Sequence, residues 1–253
     1  MKKWFKFVAL LALSAVPVLS DVLRVEAGGG VWMQTPKGTI AYQTSTDSGS
    51  STNREDQTQR GYAWLYVKHP VPVLPNIRLE YCNISTDGDV TVTLGSLIPV
   101  TTSSTSSFDT NEYDAVLYYN LLDNTFWTTL DLGVDVKALD YRFDVAPTND
   151  LIAYGGYSKS GTFVLPLVYA RARVEIPGTG LGIEGLGSYI SYQKSHVYDA
   201  RIKADWTMTF VPGIQPGVEV GYRIQKITIN VDDKAIDGDI DFSGLYVGAF
   251  LRF

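Results

Sequence analysis

The stretch Tyr246-Val247-Gly248-Ala249-Phe250-Leu251-Arg252-Phe253 decides the reading of this chain, because it alternates residue by residue and ends on an aromatic. Side chains of a β-strand point to opposite faces in turn. One face of this strand carries Val247, Ala249, Leu251 and Phe253, and the other Tyr246, Gly248, Phe250 and Arg252. A wholly apolar face opposite a mixed one suits a strand with hydrocarbon on one side and a polar interior on the other.

Working outward from that end, the alternation recurs in ten segments: 22–33, 61–68, 77–86, 112–120, 127–141, 162–175, 181–193, 197–208, 217–230 and 239–253. The clearest is the eighth, where Tyr198, Ala200, Ile202, Ala204, Trp206 and Met208 face one way and Asp199, Arg201, Lys203 and Asp205 the other. Leu130, Leu132, Val134 and Val136 oppose Asp131, Asp135 and Lys137 in the fifth, and Val218, Val220, Tyr222 and Ile224 oppose Glu219, Arg223 and Gln225 in the ninth. No segment after the leader is apolar for long enough to make a membrane-spanning helix. Inside hydrocarbon every backbone polar group must then be satisfied by strand pairing, which requires a closed barrel.

Two kinds of connection separate the segments. The short ones are 70–76, Leu121-Leu122-Asp123-Asn124, Pro177-Gly178-Thr179-Gly180 and 211–216, built on Pro, Gly or Asp-Asn, residues that fix or permit turn dihedrals. The long ones are 34–60, 87–111, 143–161 and the acidic 231–238, with a tight Ser195-His196 tip between the seventh and eighth strands. Short turns at one end and long polar loops at the other are the pattern of periplasmic and extracellular connections. The expected fold is all-β, an antiparallel up-and-down transmembrane β-barrel of ten strands. Counts of eight or twelve remain compatible, because 39–44 and 90–94 alternate within the first two loops.

The opposite end of the chain agrees. Met1-Lys2-Lys3-Trp4-Phe5-Lys6 is a basic leader followed by an apolar run over 7–19, broken by Pro17 and ending near Ser20. This reads as a secretory signal peptide over 1–20, with cleavage after Ser20 and a barrel over 21–253. Losing Lys2, Lys3 and Lys6 takes the formal net charge from −6 to −9. A chain so acidic is a poor match for nucleic acid, whose binders present basic surfaces. The single cysteine, Cys82, excludes an intramolecular disulfide framework in an oxidising compartment and is expected as a buried thiol.

With the apolar face turned to lipid, the charged face lines the lumen. The expected lumen charge network is Arg24, Glu26, Arg78, Glu80, Asp131, Asp135, Arg171, Arg173, Glu184, Asp199, Arg201, Lys203, Asp205, Glu219 and Arg223, joined by Asp114, Lys137 and Glu175. A water-soluble barrel of lipocalin type would invert this arrangement, and periodicity alone does not choose between the two. The leader, the terminal aromatic and the turn asymmetry favour lipid outside. Trp32, Tyr62, Trp64, Tyr81, Trp127, Tyr189, Tyr192 and Trp206, near expected strand ends, suit headgroup depth.

Two resemblances add to this. Tyr246, Gly248, Leu251 and Phe253 resemble the C-terminal assembly signal of outer-membrane proteins. The start Asp21-Val22-Leu23-Arg24-Val25-Glu26-Ala27-Gly28-Gly29-Gly30-Val31-Trp32, the turn His69-Pro70-Val71-Pro72-Val73-Leu74-Pro75-Asn76, and the segments Tyr118-Tyr119-Asn120-Leu121-Leu122-Asp123-Asn124, Leu165-Pro166-Leu167-Val168-Tyr169 and Asp239-Ile240-Asp241-Phe242-Ser243-Gly244-Leu245-Tyr246 resemble an uncharacterised family of Gram-negative outer-membrane β-barrel proteins. That resemblance spans essentially the whole mature chain. It implies location in the cell outer membrane and fold, and brings no catalytic residues.

Chemistry is sparse. A rim protease or lipid-modifying enzyme would need more than His196 beside Asp199, and the other histidine, His69, falls in a periplasmic turn. Adjacent Ser195 and His196 on a tight hairpin point apart. The acidic run Asp232-Asp233-Lys234-Ala235-Ile236-Asp237-Gly238-Asp239-Ile240-Asp241 fails the EF-hand pattern, since Phe242 and Gly248 stand where Gly and Glu are needed. No cofactor, metal or catalytic residue is therefore expected. The expected role is non-enzymatic, envelope-structural or surface-interacting, with a largely filled lumen. A narrow channel for small or hydrophobic solutes is the alternative, and a rim hydrolase the less favoured one. Expected partners are outer-membrane lipid, lipopolysaccharide and the barrel assembly machinery.

Overall fold

In the computed structural model the described residues are 23–53, 56–71, 73–95, 99–149, 153–192, 195–209, 213–229 and 236–253. The expected leader, 1–20, and most of the acidic run at 231–235 lie outside them. The strands are β1 (Arg24–Gln43), β2 (Asp47–Asn53), β3 (Thr58–Lys68), β4 (Asn76–Leu94), β5 (Val100–Thr125), β6 (Thr128–Val145), β7 (Thr148–Asn149), β8 (Ala153–Tyr154), β9 (Tyr157–Ile176), β10 (Leu181–Tyr192), β11 (Ser195–Thr207), β12 (Gln215–Ile229) and β13 (Ile236–Arg252).

Ten long strands, β1, β3, β4, β5, β6 and β9 to β13, pair antiparallel in chain order, and β13 closes on β1. The eleventh member, β2, continues the wall above β3: it pairs with β1 at Thr39 to Gln43 and with β4 at Gly88 to Leu94. A separate small hairpin, β7 with β8, lies in the connection between β6 and β9.

Strand closure carries a fixed stagger. One outward row runs Val25, Val67, Ile77, Leu117, Val134, Val168, Tyr189, Tyr198, Lys226, Asp241 and back to β1 at Lys37, 12 residues beyond its start. Such a shear tilts the strands, so the row climbs as it circles the barrel. Its early members are apolar and its last three are charged. The row thus leaves the hydrocarbon belt on the way round.

An apolar belt is made by the outward residues of the strands, among them Leu79, Leu117, Val134, Val168, Ile202, Val220 and Val247, all exposed. Above the belt both faces exchange character. Outward positions become Asp140, Arg142 and Asp144 on β6 and Asp239 and Asp241 on β13. Inward positions become Leu139, Phe143 and Val145 on β6, Ile84, Val90 and Val92 on β4, and Ile240 and Phe242 on β13, all buried. The upper half is therefore built like a water-soluble barrel, with the hydrophobic effect packing its inside.

Four expectations are corrected. The long loops over 34–60 and 87–111 are largely strand, because β1, β2, β4 and β5 project above the belt and pair there. The turn expected at Leu121 to Asn124 is strand with two register shifts, and the chain reverses instead at Phe126 and Trp127, both with positive φ (51° and 63°). Ser195 and His196 belong to β11, paired with Tyr192 and Ser191. Trp32, Tyr62 and Trp64 point into the lumen, where their polar atoms find partners, while Tyr81, Trp127, Tyr189 and Trp206 are exposed on the outside.

Candidate functional site

Alternation brings the charged residues of nine strands into one lattice across the lumen at belt height. At its lower end Glu26 is held by Arg24 and by Arg252 (2.8 Å), and Glu175 by Arg24 and Arg173 (both 3.0 Å). A mouth cavity of about 250 Å³, lined by Trp127, Arg173, Glu175 and Arg252 among others, ends on these groups. Arg173 also pairs with Asp205.

Glu184 on β10 is the hub. Arg171 (2.7 Å), Arg173 (3.4 Å), Lys203 (3.6 Å) and Arg78 (3.7 Å) converge on it from three other strands. Arg171 continues to Asp131 (2.6 Å), and Lys203 to Glu219 (2.8 Å), which also accepts from the Tyr62 hydroxyl and the Trp64 indole N–H. Arg78 leads to Glu80, Glu80 to Arg201 (2.6 Å), Arg201 to Asp199, and Asp199 to Arg223. Arg223 reaches Glu112 (3.3 Å), and Lys137 joins Glu112, Asp114 and Asp199. From the mouth to Lys137 the ion pairs are continuous.

Aromatic rings are built into this lattice. Guanidinium and ammonium groups lie over ring faces at 4.6 Å (Arg223 on Trp32) and 4.9 Å (Arg171 on Tyr66, Lys203 on Trp64). Such contacts stabilise cations that have been removed from water. Trp64, Tyr66, Val116, Tyr118, Tyr169, Leu186 and Phe250 form one buried cluster. Glu112 and Lys137 have no solvent-exposed surface at all.

Of the residues expected to line the lumen, all lie on inward positions, and all except Asp135 share this network. Asp135 is buried with an unpartnered Oδ1; its contact is with Ser188. Sequence reasoning missed Glu112, which sits at an expected strand boundary, and the inward aromatics Tyr66, Tyr118 and Tyr169. The signal for the first set was present: Tyr62, Trp64 and Tyr66 share one parity while Ala63, Leu65 and Val67 share the other.

The chemical candidates are not brought together. His196 lies on the outward parity of β11, with Nε2 3.1 Å from the Thr228 hydroxyl, while Asp199 faces the lumen on Arg223. His69 is held in its turn, its Nε2 3.0 Å from the Pro75 carbonyl and its Nδ1 accepting from the Val71 N–H. Asp239 and Asp241 flank Lys226 at 3.0 and 3.3 Å. Those carboxylates hold the ammonium charged, raising the Lys226 pKa. Among the described residues no group of three or more His, Cys, Asp or Glu gathers at metal-binding distances. A cleft of about 600 Å³ lies between Asp87, Ser106, Asp144, Pro147 and Tyr157, beside the upper ends of β6 and β9.

No protein-family model matches the chain, and no curated protein does. Solved structures do. The outer membrane protease OmpT from Escherichia coli matches over 95% of this chain and 99% of its own at 11% identity and a TM-score of 0.52. The translocator domain of the autotransporter NalP from Neisseria meningitidis matches over 100% and 96% at 13% identity and a TM-score of 0.36, and the CymD monoaromatic hydrocarbon channel over 92% and 89% at 7% and 0.32. The likeness to OmpT is one of fold: this chain is a closed ten-strand antiparallel barrel, with one extra strand, of the outer-membrane type.

Proposed function

We propose that this protein is a non-enzymatic barrel of the outer membrane whose lumen is sealed by its ionic lattice and whose tall upper half serves envelope structure and surface contact. The observation that carries this reading is the unbroken run of ion pairs from Arg24 to Lys137 across the lumen. Opening a path through it would expose buried charges without their partners, which costs several kcal/mol per broken pair. A pore of general porin type needs a water-filled lumen instead. The separation of His196 and Asp199 onto opposite faces of β11 supports a role without hydrolysis.

The finer expectations belong to the same proposal: membership of the uncharacterised Gram-negative family, contact with lipopolysaccharide at the charged rim of Lys226, Asp239 and Asp241, and recognition of Tyr246, Gly248, Leu251 and Phe253 by the assembly machinery. Planar-bilayer recording of purified protein tests the central claim. The expected result is a closed baseline; a large, steady open conductance would overturn it.

A further inference from the structure

Two connections stand side by side at the short-turn end of the barrel: residues 69–75 between β3 and β4, and the tip of the β5–β6 hairpin at 121–127. Three contacts brace one against the other. The Tyr119 hydroxyl donates to the Val73 carbonyl at 3.0 Å, Lys68 Nζ reaches both carboxylate oxygens of Asp123 at 2.6 Å, and Asn76 Nδ2 donates to Asn120 Oδ1 at 2.8 Å. The hairpin runs on past the start of β4, since Asn76 is paired with Tyr118 while β5 continues to Thr125.

This braced unit turns large apolar side chains outward. Val73 is 82% exposed and Phe126 87%, and Leu74, Leu121 and Leu122 are exposed as well. Phe126 is held at φ 51°, with Asn124 at 47° and Trp127 at 63°, a left-handed conformation that bulky residues rarely adopt. Strain of this kind persists only where the surrounding structure over-determines it. Here it holds a phenylalanine ring away from the interior of its own barrel.

Charge and position select the partner. Over 68–76 and 119–128 the formally charged residues are Lys68 and Asp123, which neutralise each other, and the His69 ring is engaged within its own turn. The surface also continues the apolar belt: exposed Ile77, Leu117 and Tyr119 lead along the outer face of β4 and β5, and the Tyr119 bond to Val73 sets the 69–75 turn against that face. Whatever covers the belt reaches these turns without a break.

We propose that Val73, Leu74, Leu121, Leu122 and Phe126 form an apolar foot inserted among the phospholipids of the membrane leaflet at the short-turn end. The inference rests on the outer-membrane reading above. Lipid then takes from water five side chains that the barrel itself leaves exposed, which favours insertion through the hydrophobic effect.

An environment-sensitive bimane label on Phe126→Cys, in a Cys82→Ser background, tests this in phosphatidylcholine vesicles with brominated acyl chains. The same label on outward Val168→Cys is the reference for the belt. The expected result is a loss of fluorescence with brominated lipid comparable to that at Val168, and a smaller loss with iodide present on both sides of the membrane. A larger loss with iodide than with brominated lipid would put the foot in water, leaving its surface to a protein partner, and would overturn the proposal. So would shielding from both quenchers while the Val168 label responds to lipid. A Val168 label untouched by brominated lipid would instead remove the outer-membrane reading, and the foot with it. Val73→Cys gives the same readings should the Phe126 variant fail to insert.

Discussion

Arg173 on β9 reaches across β10 to Asp205 on β11 through two parallel hydrogen bonds, Nη1 to Oδ2 at 2.6 Å and Nη2 to Oδ1 at 2.8 Å. The β10 residue between them is Gly182, paired with Glu175 on one side and Asp205 on the other. A Cβ there would stand 2.3 Å from Arg173 Nη2 and 3.0 Å from Asp205 Oδ1. Gly182→Ala is therefore expected to push the fork apart and destabilise the barrel by about 1–3 kcal/mol, the cost of unsatisfied buried groups. Gly185→Ala, on the lipid side with nothing within 4 Å, is expected to change little. Urea midpoints in vesicles compare the two; equal midpoints would show that the fork contributes nothing.

The lattice was legible because period two is strict at belt height: one parity is apolar and the other charged, as in Ala204 against Lys203 and Asp205. The exchange above the belt was harder to see. Across Leu139 and Phe143 the apolar residues keep the inward parity that Asp135 and Lys137 hold below. There the medium outside the wall changes from lipid to water, and alternation does not report the medium. The same ambiguity placed Trp32 and Trp64 at headgroups, although each has its ring over or under a cation in the lumen.

Asp135 is the exception within the lumen. It is buried, it makes no ion pair among the described residues, and its Oδ1 has no hydrogen-bond partner. A carboxylate in that state bears a desolvation cost that no direct ion pair offsets. Asp135→Asn is expected to stabilise the barrel by about 1–3 kcal/mol. Asp131→Asn, which breaks the 2.6 Å pair with Arg171, is expected to destabilise it by about 3–5 kcal/mol. Opposite signs in a urea titration bear the contrast out, and a loss of stability in both would refute it.

The rim above the belt carries a small acid-sensitive cluster. Asp144 accepts from the Ser158 hydroxyl at 2.5 Å and from Arg142 Nε at 2.6 Å, and those donors hold its carboxyl below the usual range. A depressed carboxylate pKa stabilises the fold above the unfolded value, near 3.9, and that gain is lost as pH falls through the folded value. Amide exchange at the β6 and β9 tips is expected to quicken as pH falls below about 4, relative to the intrinsic rate. Asp144→Asn should remove this step. A step of the same size in the variant would assign it elsewhere.

Phe253 sits at the seam. Its N–H donates to the Val25 carbonyl at 2.8 Å and its carbonyl accepts from the Val25 N–H at 3.4 Å, the last bonds between the end of the chain and β1. Deleting Phe253 removes these two bonds from an otherwise complete barrel, a loss of about 1–2 kcal/mol. Refolding purified protein into detergent measures that loss alone. If the terminal aromatic is also read by the assembly machinery, the deletion should lower the amount of assembled barrel in cells several-fold more than the stability change accounts for. A cellular yield that merely tracks the refolding result would leave Phe253 a seam residue with no part in recognition.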